Sequence, residues 1–138
     1  MVDLGLQITR GDATMLYATS HGSYTVRIHL RLDERIDGQK LRIALDKTAQ
    51  RYPYFCVSLK RNEREFYYEI NSRPIALLHT NRAIELSAPE TNGHIWAVCY
   101  DEEDLFIDFF HGRSDGTGAY ALLATLLYYC LLYTSPSP

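Results

Sequence analysis

A histidine and an aspartate lie four residues apart in the segment FFHGRSDGTGAYALL, residues 109–123. His111 ends a run of strand-type residues, and Asp115-Gly116 opens a glycine-rich turn that leads into an apolar helix. An imidazole with an ordinary pKa of about 6.5 is the side chain best suited to remove a proton from a hydroxyl or amine at neutral pH. A position just before a helix N-terminus faces the positive end of the helix dipole, which keeps such a base neutral. These residues therefore predict general-base chemistry at His111.

A purely structural interpretation of the same residues stays open. Ser114 or Asp115 could cap the final helix and stabilise it by about 1 kcal/mol, with His111 bonded to backbone groups at the strand end. Three other histidines fall in loops or at strand ends without a partner at a useful spacing. We expect these three to be exposed: His21, His79 and His94.

Two segments in the N-terminal half have regularly spaced apolar residues, and they are predicted to form a strand and a helix that position the motif. Between residues 25 and 31, Val, Ile and Leu alternate with Arg, His and Arg, which predicts a strand with one buried face and with His29 on its polar face. The three-four spacing of apolar residues that follows predicts an amphipathic helix from about Gly38 to Arg51, closed by Pro53.

The remaining segments before the motif are predicted to be strands. The segments YFCVSLK, EFYYEI and PIALLHT predict three antiparallel neighbours, and HIWAVCY and LFIDFF predict a hairpin with Glu102 and Glu103 at a solvated tip. Alternation along the last strand places His111 on the same side as Leu105. The tyrosine pairs at 67–68 and 128–129 are expected to be packing residues and not part of a cofactor site. The order of elements predicts an α+β fold, a two-layer sandwich of helices on a mostly antiparallel or mixed sheet.

Composition excludes several classes of function. The chain has 138 residues and a net charge of −3 without a basic cluster, so we expect one domain and no nucleic-acid partner. Cys56, Cys99 and Cys130 are widely separated, which argues against a disulfide framework or a metal site and favours a reducing, cytoplasmic setting. The N-terminus lacks the pattern of a signal peptide. The apolar run near the C-terminus is shorter than a bilayer needs, which predicts no membrane span and a helix buried on all sides by protein.

The pattern HxxxDG at a strand-to-helix junction resembles the CoA-dependent acyltransferase superfamily, which includes chloramphenicol acetyltransferase, condensation domains and alcohol acetyltransferases. The segments RGDATMLYATSHGSYTVRIHLRL and LRIALDKTAQRYPYF also fall in the order expected of that superfamily's N-terminal half. The motif is similar to that of bacterial alcohol acetyltransferase-like proteins, in which a phenylalanine precedes the histidine and Gly-Thr-Gly-Ala follows the aspartate. Condensation domains usually carry a second histidine where Phe110 stands.

The resemblance implies a chloramphenicol acetyltransferase-like half fold and roles for the motif residues. His111 would deprotonate the acceptor as it attacks the thioester carbonyl of an acyl donor, without a covalent acyl-enzyme. Asp115 would be architectural and would pair with an arginine, for which Arg10, Arg27 and Arg31 are candidates. A backbone N–H at Gly116 or Gly118 is a candidate donor to the oxyanion. The donor would be acyl-CoA or a phosphopantetheinyl thioester, as a co-substrate and not as a bound cofactor.

The resemblance also implies that this chain supplies half of a site. We expect residues 1–133 to be a truncated N-terminal subdomain and residues 134–138 to be a disordered or artefactual tail. Its partners would be a small-molecule alcohol or amine acceptor and a missing C-terminal half or neighbouring subunit, and the fragment alone is expected to be inactive. Two alternatives stay open: a condensation domain acting on carrier-protein thioesters, and a non-catalytic binding or assembly module of the same fold.

Overall fold

The computed structural model describes residues 25–110 and 116–134. Within these ranges, one strand, a helix, five strands and a second helix follow one another in the order that the sequence predicts, and the α+β class is confirmed. The elements are β1 (Thr25–Arg31), α1 (Gly38–Arg51), β2 (Val57–Arg61), β3 (Phe66–Ile70), β4 (Leu77–His79), β5 (Trp96–Asp101), β6 (Asp104–Phe110) and α2 (Gly116–Thr134).

Strand β6 lies inside a mixed sheet whose strand order is β1-β6-β5-β4. It pairs antiparallel with both neighbours, so that Phe110 lies opposite Thr25 of β1 and Phe109 lies opposite Trp96 of β5. The alternate side chains Leu105, Ile107 and Phe109 belong to the hydrophobic core that the sheet shares with the helices. The strand that leads to the motif is therefore held on both edges.

Helix α1 has the bounds that the sequence predicts. The Asp37 carboxylate accepts hydrogen bonds from the N–H groups of Gln39 and Lys40, at 2.9 and 3.3 Å, and so caps the N-terminus. The buried positions have the three-four spacing of one helical face, and they are Leu41, Ala44, Leu45 and Thr48. Pro53 begins a short 3-10 turn, which ends the helix as predicted.

The three middle strands differ from expectation in one respect. β2 and β3 form an antiparallel hairpin, and the Asn62 side chain accepts hydrogen bonds from the backbone of its turn. The expectation that β4 is a third antiparallel neighbour was wrong, because β4 pairs in parallel with β5 in the other sheet. The connection over residues 80–95 is long enough for the crossover that parallel pairing needs.

Helix α2 buries one face. Ala119, Leu122 and Leu126 are buried in the core, and the Tyr52 and Thr125 hydroxyls are 2.8 Å apart between the two helices. The exposed side chains include Tyr120, Tyr128, Leu131 and Leu132. Burial on all sides was therefore wrong, because the outer face of a helix in a two-layer fold has nothing above it. Tyr128 is exposed, although its ring packs edge-on against that of Tyr129 at 5.2 Å between centroids. Tyr68, in contrast, is fully buried as predicted.

In the two described ranges, no helix combines the length and the apolar character that crossing a membrane requires.

The tip of the β5–β6 hairpin is anchored by the chain between β1 and α1. Glu102 is exposed and Glu103 is partly exposed, in line with the predicted solvated tip, and Glu102 forms a 3.0 Å ion pair with Arg35. Its backbone is not free, however, because the carbonyls of Glu103 and Glu102 accept hydrogen bonds from Leu32 N–H and Ile36 N–H, at 2.8 and 2.9 Å. This end of the sheet is held by hydrogen bonds that the sequence pattern did not indicate.

Candidate functional site at the end of strand β6

The motif occupies the junction between the central strand and the last helix. The described part of β6 runs to Phe110 and that of α2 starts at Gly116, so a strand precedes the motif and a helix follows it, as the sequence predicts. His111 and Asp115 themselves lie outside the described residues, as does Ser114. Gly116 and Gly118 lie in the first turn of α2, and the oxyanion role expected of them stays a prediction.

The strand end that precedes the motif is rigidly held. Phe110 N–H donates a 2.8 Å hydrogen bond to the Ile95 carbonyl, and Phe110 and Phe109 are both buried. Since both edges of β6 are paired, the neighbouring strands determine the position of Phe110 at its described end.

A buried ion pair joins β1 to β6 next to this strand end. Asp108 is 4% exposed, and its two carboxylate oxygens accept from Nε and Nη2 of Arg27, at 2.6 and 3.1 Å. The other guanidinium contacts go to the carbonyls of Asn81 and Arg82, at 2.9 Å each, and the guanidinium lies 4.5 Å from the ring centre of Phe106. Such a two-pronged contact is the strongest form of arginine–carboxylate pairing.

The Arg27–Asp108 ion pair affects the choice among the three arginines that were candidates to pair with Asp115. Arg27 is already bonded to Asp108. Arg31 lies at the hairpin end of the sheet, opposite Asp104, and its contacts there are 3.8 and 3.9 Å. Arg10 lies outside the described residues. The sequence did carry a signal for the Arg27–Asp108 pair, because an aspartate between Phe106 and Phe110 on one strand face requires a buried partner.

The expectation that His94 is exposed was wrong. His94 is 0% exposed, and its Nε2 lies 2.6 Å from the Arg73 carbonyl. A carbonyl only accepts, so Nε2 carries the proton and Nδ1 of the neutral ring is an acceptor. Nδ1 has no hydrogen-bond partner in the part of the chain that the structure describes. Burial lowers the pKa of His94, an effect that the hydrogen bond to the Arg73 carbonyl opposes.

His94 is buried because its segment packs against two parts of the chain that are distant from it in the sequence. It forms an isolated bridge with Ser58, and the neighbouring Asn71 side chain donates to Ser58 Oγ and to the Asn92 carbonyl, at 2.8 Å each. Gly93 has a φ of 75°, and a Cβ there would lie 3.0 Å from Nη2 of Arg73. A loop position in the sequence carried no sign of these long-range contacts.

Two other histidines lie away from the motif. His29 is exposed on the polar face, as predicted, where its Nε2 lies 2.7 Å from Asp104 and its ring stacks on Phe106. His79 is exposed as predicted and stacks on Tyr100. Both partners belong to the hairpin half of the sheet, while His21 lies outside the described residues.

The described cysteines are poorly suited to act as nucleophiles. Burial raises the pKa of the Cys99 thiol to about 11, and the charge of Asp108 adds to the effect. Burial alone raises the pKa of Cys130 to about 11, and it also raises the pKa of Cys56. These thiols are protonated at neutral pH, and only thiolates are effective nucleophiles.

An open groove of about 890 Å³ lies at the opposite end of the sheet from the motif. It runs between the start of α1 and the strands β4 and β5, and its walls include Gln39, Arg42, Leu77 and Tyr100. Tyr100 lies opposite Leu105, five positions before the end of β6. No residue that lines the groove adjoins Phe110 in the described sheet, so the groove and the strand end are separate features.

No family model matches the sequence, and no curated protein matches it significantly. Solved structures do share its fold. The starter condensation domain of the rhizomide synthetase RzmA is 12% identical, with a TM-score of 0.72 over 96% of this chain and 39% of that chain. Polyketide synthase associated protein 5 from Mycobacterium tuberculosis is 14% identical, with a TM-score of 0.70 over 96% of this chain and 35% of that one.

A mutant of the same RzmA domain in complex with C8-CoA is 11% identical, with a TM-score of 0.70 over 89% of this chain and 34% of that chain. The chain therefore has the fold of part of a condensation domain, as the motif's resemblance implied. It spans roughly a third to two-fifths of the length of these structures, between 34% and 39%.

Proposed function

We propose that the chain is one half of an acyltransferase that moves an acyl group from a CoA-type thioester to a hydroxyl or amine of a small molecule. One observation carries the proposal. In a fold shared with condensation domains, the segment HGRSD falls between the end of β6 and the start of α2. The C8-CoA in a neighbouring structure supports an acyl-CoA as the donor.

In this proposal His111 is the general base. Its neutral imidazole takes the proton of the acceptor hydroxyl as the oxygen attacks the thioester carbonyl. The carbon–oxygen bond forms, the carbon–sulfur bond breaks, and the proton passes from the imidazolium to the departing thiolate. The N-terminus of α2 begins at Gly116, and its dipole disfavours the imidazolium in the resting state. Asp115 has an architectural role. The protonated, buried thiols support direct transfer without an acyl-cysteine.

The test is acyl transfer by the complete protein, measured as release of free CoA thiol from acetyl-CoA and octanoyl-CoA with a panel of alcohols and amines. We expect His111→Ala to lower kcat/KM at least about a hundredfold. The matched control is His29→Ala, because that imidazole is exposed and lies at the hairpin half of the sheet. Near-normal turnover by His111→Ala would refute the proposal.

A second candidate is condensation on a carrier protein, which the shared fold with starter condensation domains favours. Phe110, in place of the second histidine, argues against it. The two are separated by presenting one acyl group either on CoA or on a phosphopantetheinylated carrier. A carrier preference of tenfold or more in kcat/KM would favour condensation.

The third alternative, a non-catalytic binding or assembly module, predicts a different result. The folded complete protein would then consume neither thioester with any acceptor, while it would still bind a partner protein. Consumption of either thioester that depends on His111 excludes this alternative.

A further inference from the structure

The pair Asn92-Gly93 is the one place in the sequence where a glycine directly follows an asparagine. In a flexible chain such a pair is chemically labile, because the backbone nitrogen of the second residue can attack the side-chain amide carbon of the first, and glycine has no Cβ to hinder the approach. The other asparagines are followed by residues with side chains, and they are Asn62, Asn71 and Asn81. Position 92 is therefore where deamidation of the unfolded chain should begin.

In the folded chain, both reacting groups of this pair are engaged in hydrogen bonds. The Asn92 side-chain amide donates a 2.9 Å hydrogen bond to the Pro74 carbonyl. The Gly93 N–H, whose nitrogen would be the nucleophile, donates to the Ala88 carbonyl at 3.0 Å. The Asn92 carbonyl also accepts a 2.8 Å hydrogen bond from the Asn71 amide. Since attack needs a deprotonated nitrogen and a side chain that is free to turn, at least the first two bonds must break before the pair can react.

Three hydrogen bonds tie the crossover segment, residues 80–95, to residues 71–74 between β3 and β4. Two of them involve Asn92, and the third joins the buried ring of His94 to the Arg73 carbonyl. Separation of these two segments, by local or by global unfolding, is therefore the event that frees the Asn92 side chain.

We propose that Asn92-Gly93 is a deamidation site that the folded crossover segment protects, that reacts when this segment opens, and whose product weakens the closed state. The Gly93 nitrogen gives its proton to hydroxide and attacks Cγ of Asn92, so that a C–N bond closes a succinimide ring. The bond from Cγ to Nδ2 breaks, and this nitrogen takes up a proton and leaves as ammonia. Water then opens the ring at either carbonyl and gives aspartate or isoaspartate. The net reaction consumes one water, releases one ammonia and requires no catalytic group of the protein.

The product cannot restore the contacts of the crossover segment. A carboxylate at position 92 has no proton to donate, so it would face the Pro74 carbonyl as a second acceptor. Isoaspartate also lengthens the backbone by one methylene just before Gly93, two residues from the fully buried His94. Deamidation thus converts a transient opening into a permanent weakening of this segment.

The first experiment measures the rate of modification at position 92 in the full chain at pH 8, by peptide mapping with mass spectrometry. We expect the rate in native buffer to be at least about tenfold lower than in urea that unfolds the chain, because at least two hydrogen bonds must open first. Equal rates in the two conditions would overturn the proposal, and so would a lack of product at position 92 in urea.

The variant Asn71→Ala tests whether the hydrogen bonds to residues 71–74 control the rate. It removes the bond to the Asn92 carbonyl and leaves the reacting pair unchanged, so its rate in native buffer should rise about fivefold. A folded Asn71→Ala protein that reacts no faster than the wild type would show that these bonds do not protect the pair. If this variant does not fold, the comparison of native buffer with urea still decides the proposal.

The second experiment tests the consequence with Asn92→Asp, which reproduces the aspartate product. We expect its midpoint of urea unfolding to be lower than that of the wild type. The matched control is Asn62→Asp, because the Asn62 oxygen accepts hydrogen bonds from the N–H groups of Arg64 and Glu65, and a carboxylate can accept them too. This control adds the same charge and should keep a midpoint close to that of the wild type. Equal midpoints for the two variants would contradict the proposed weakening.

Discussion

The two ends of β6 carry the same kind of residue in opposite surroundings. Asp104 and Asp108 lie four residues apart on one face of the strand, and each contacts basic side chains of β1. Asp104 is 24% exposed beside His29, which is half-exposed, whereas Asp108 is 4% exposed beside Arg27, which is 25% exposed. Water screens the first group, whereas Arg27 balances the charge of the second among the residues that the structure describes. Burial, not residue type, determines which of the two aspartates the sheet depends on.

The largest effect on the free energy of unfolding is expected when the carboxylates of Asp108 and Asp104 are removed one at a time. Asp108→Ala leaves a guanidinium that is mostly buried and has lost its charge partner, so the free energy of unfolding should fall by about 2–4 kcal/mol. This is somewhat less than for a fully buried pair, because Arg27 is a quarter exposed. Asp104→Ala should cost less than about 1 kcal/mol. Urea denaturation at pH 7 measures both values, and equal losses would contradict the comparison.

A smaller effect on the free energy of unfolding is expected from His94, the buried histidine near the end of β6 that precedes the motif. Burial lowers the pKa of His94 in the folded state, so below pH of about 6.5 the unfolded chain binds more protons than the folded chain. The contribution of His94 to stability is therefore complete above that pH and is lost as the pH falls below it. We expect the free energy of unfolding to fall through this group as the pH is lowered from 7 to 5.5, with a slope of at most about 1.4 kcal/mol per pH unit.

The measurement is a series of urea titrations across that pH range. His94→Gln should remove this part of the slope. The control is Asn71→Ala, which breaks the neighbouring hydrogen bonds to Ser58 and Asn92 without removing a titrating group, and which should lower stability equally at every pH. The prediction fails if wild type and His94→Gln lose stability in parallel on acidification.

The third comparison concerns two left-handed backbone positions, one at each end of the sheet. Gly93 has a φ of 75° and close neighbours, so Gly93→Ala should cost about 1–2 kcal/mol. Glu102 has a φ of 53° at the hairpin tip, and Glu102→Gly should stabilise by about 0.5–1 kcal/mol, since its ion pair with Arg35 is exposed and weak. Thermal melts resolve both shifts. A stabilised Gly93→Ala would show that the loop next to His94 tolerates side chains.

Local patterns predicted local structure well. The spacing of apolar residues predicted the bounds of α1, and alternation followed by glycines predicted that a strand, β6, precedes the motif and that a helix, α2, follows it. These features depend on residues within one or two turns of each other, which a single sequence displays directly. The motif residues His111 and Asp115 lie outside the described residues, so their roles stay predictions.

Contacts between residues that are far apart in the sequence were harder to predict from it. The parallel alignment of β4 with β5, the burial of His94 beside Arg73 and the pairing of Arg27 with Asp108 each join residues more than fifteen positions apart. Each depends on which surfaces meet in the folded chain, and periodicity carries no information about that choice. The charged residue between two phenylalanines of β6 was the one local sign of such a contact.

The hairpin tip of β5 and β6 is the position where an engineer would ordinarily insert a tag or a reporter. Because the Glu102 and Glu103 carbonyls are bonded to the chain before α1, an insertion there would also disturb the approach to that helix. The turn between β2 and β3 is instead closed by hydrogen bonds to Asn62 from its own residues. Foreign sequence can therefore enter between residues 62 and 65 with much less effect on the strand that leads to the motif.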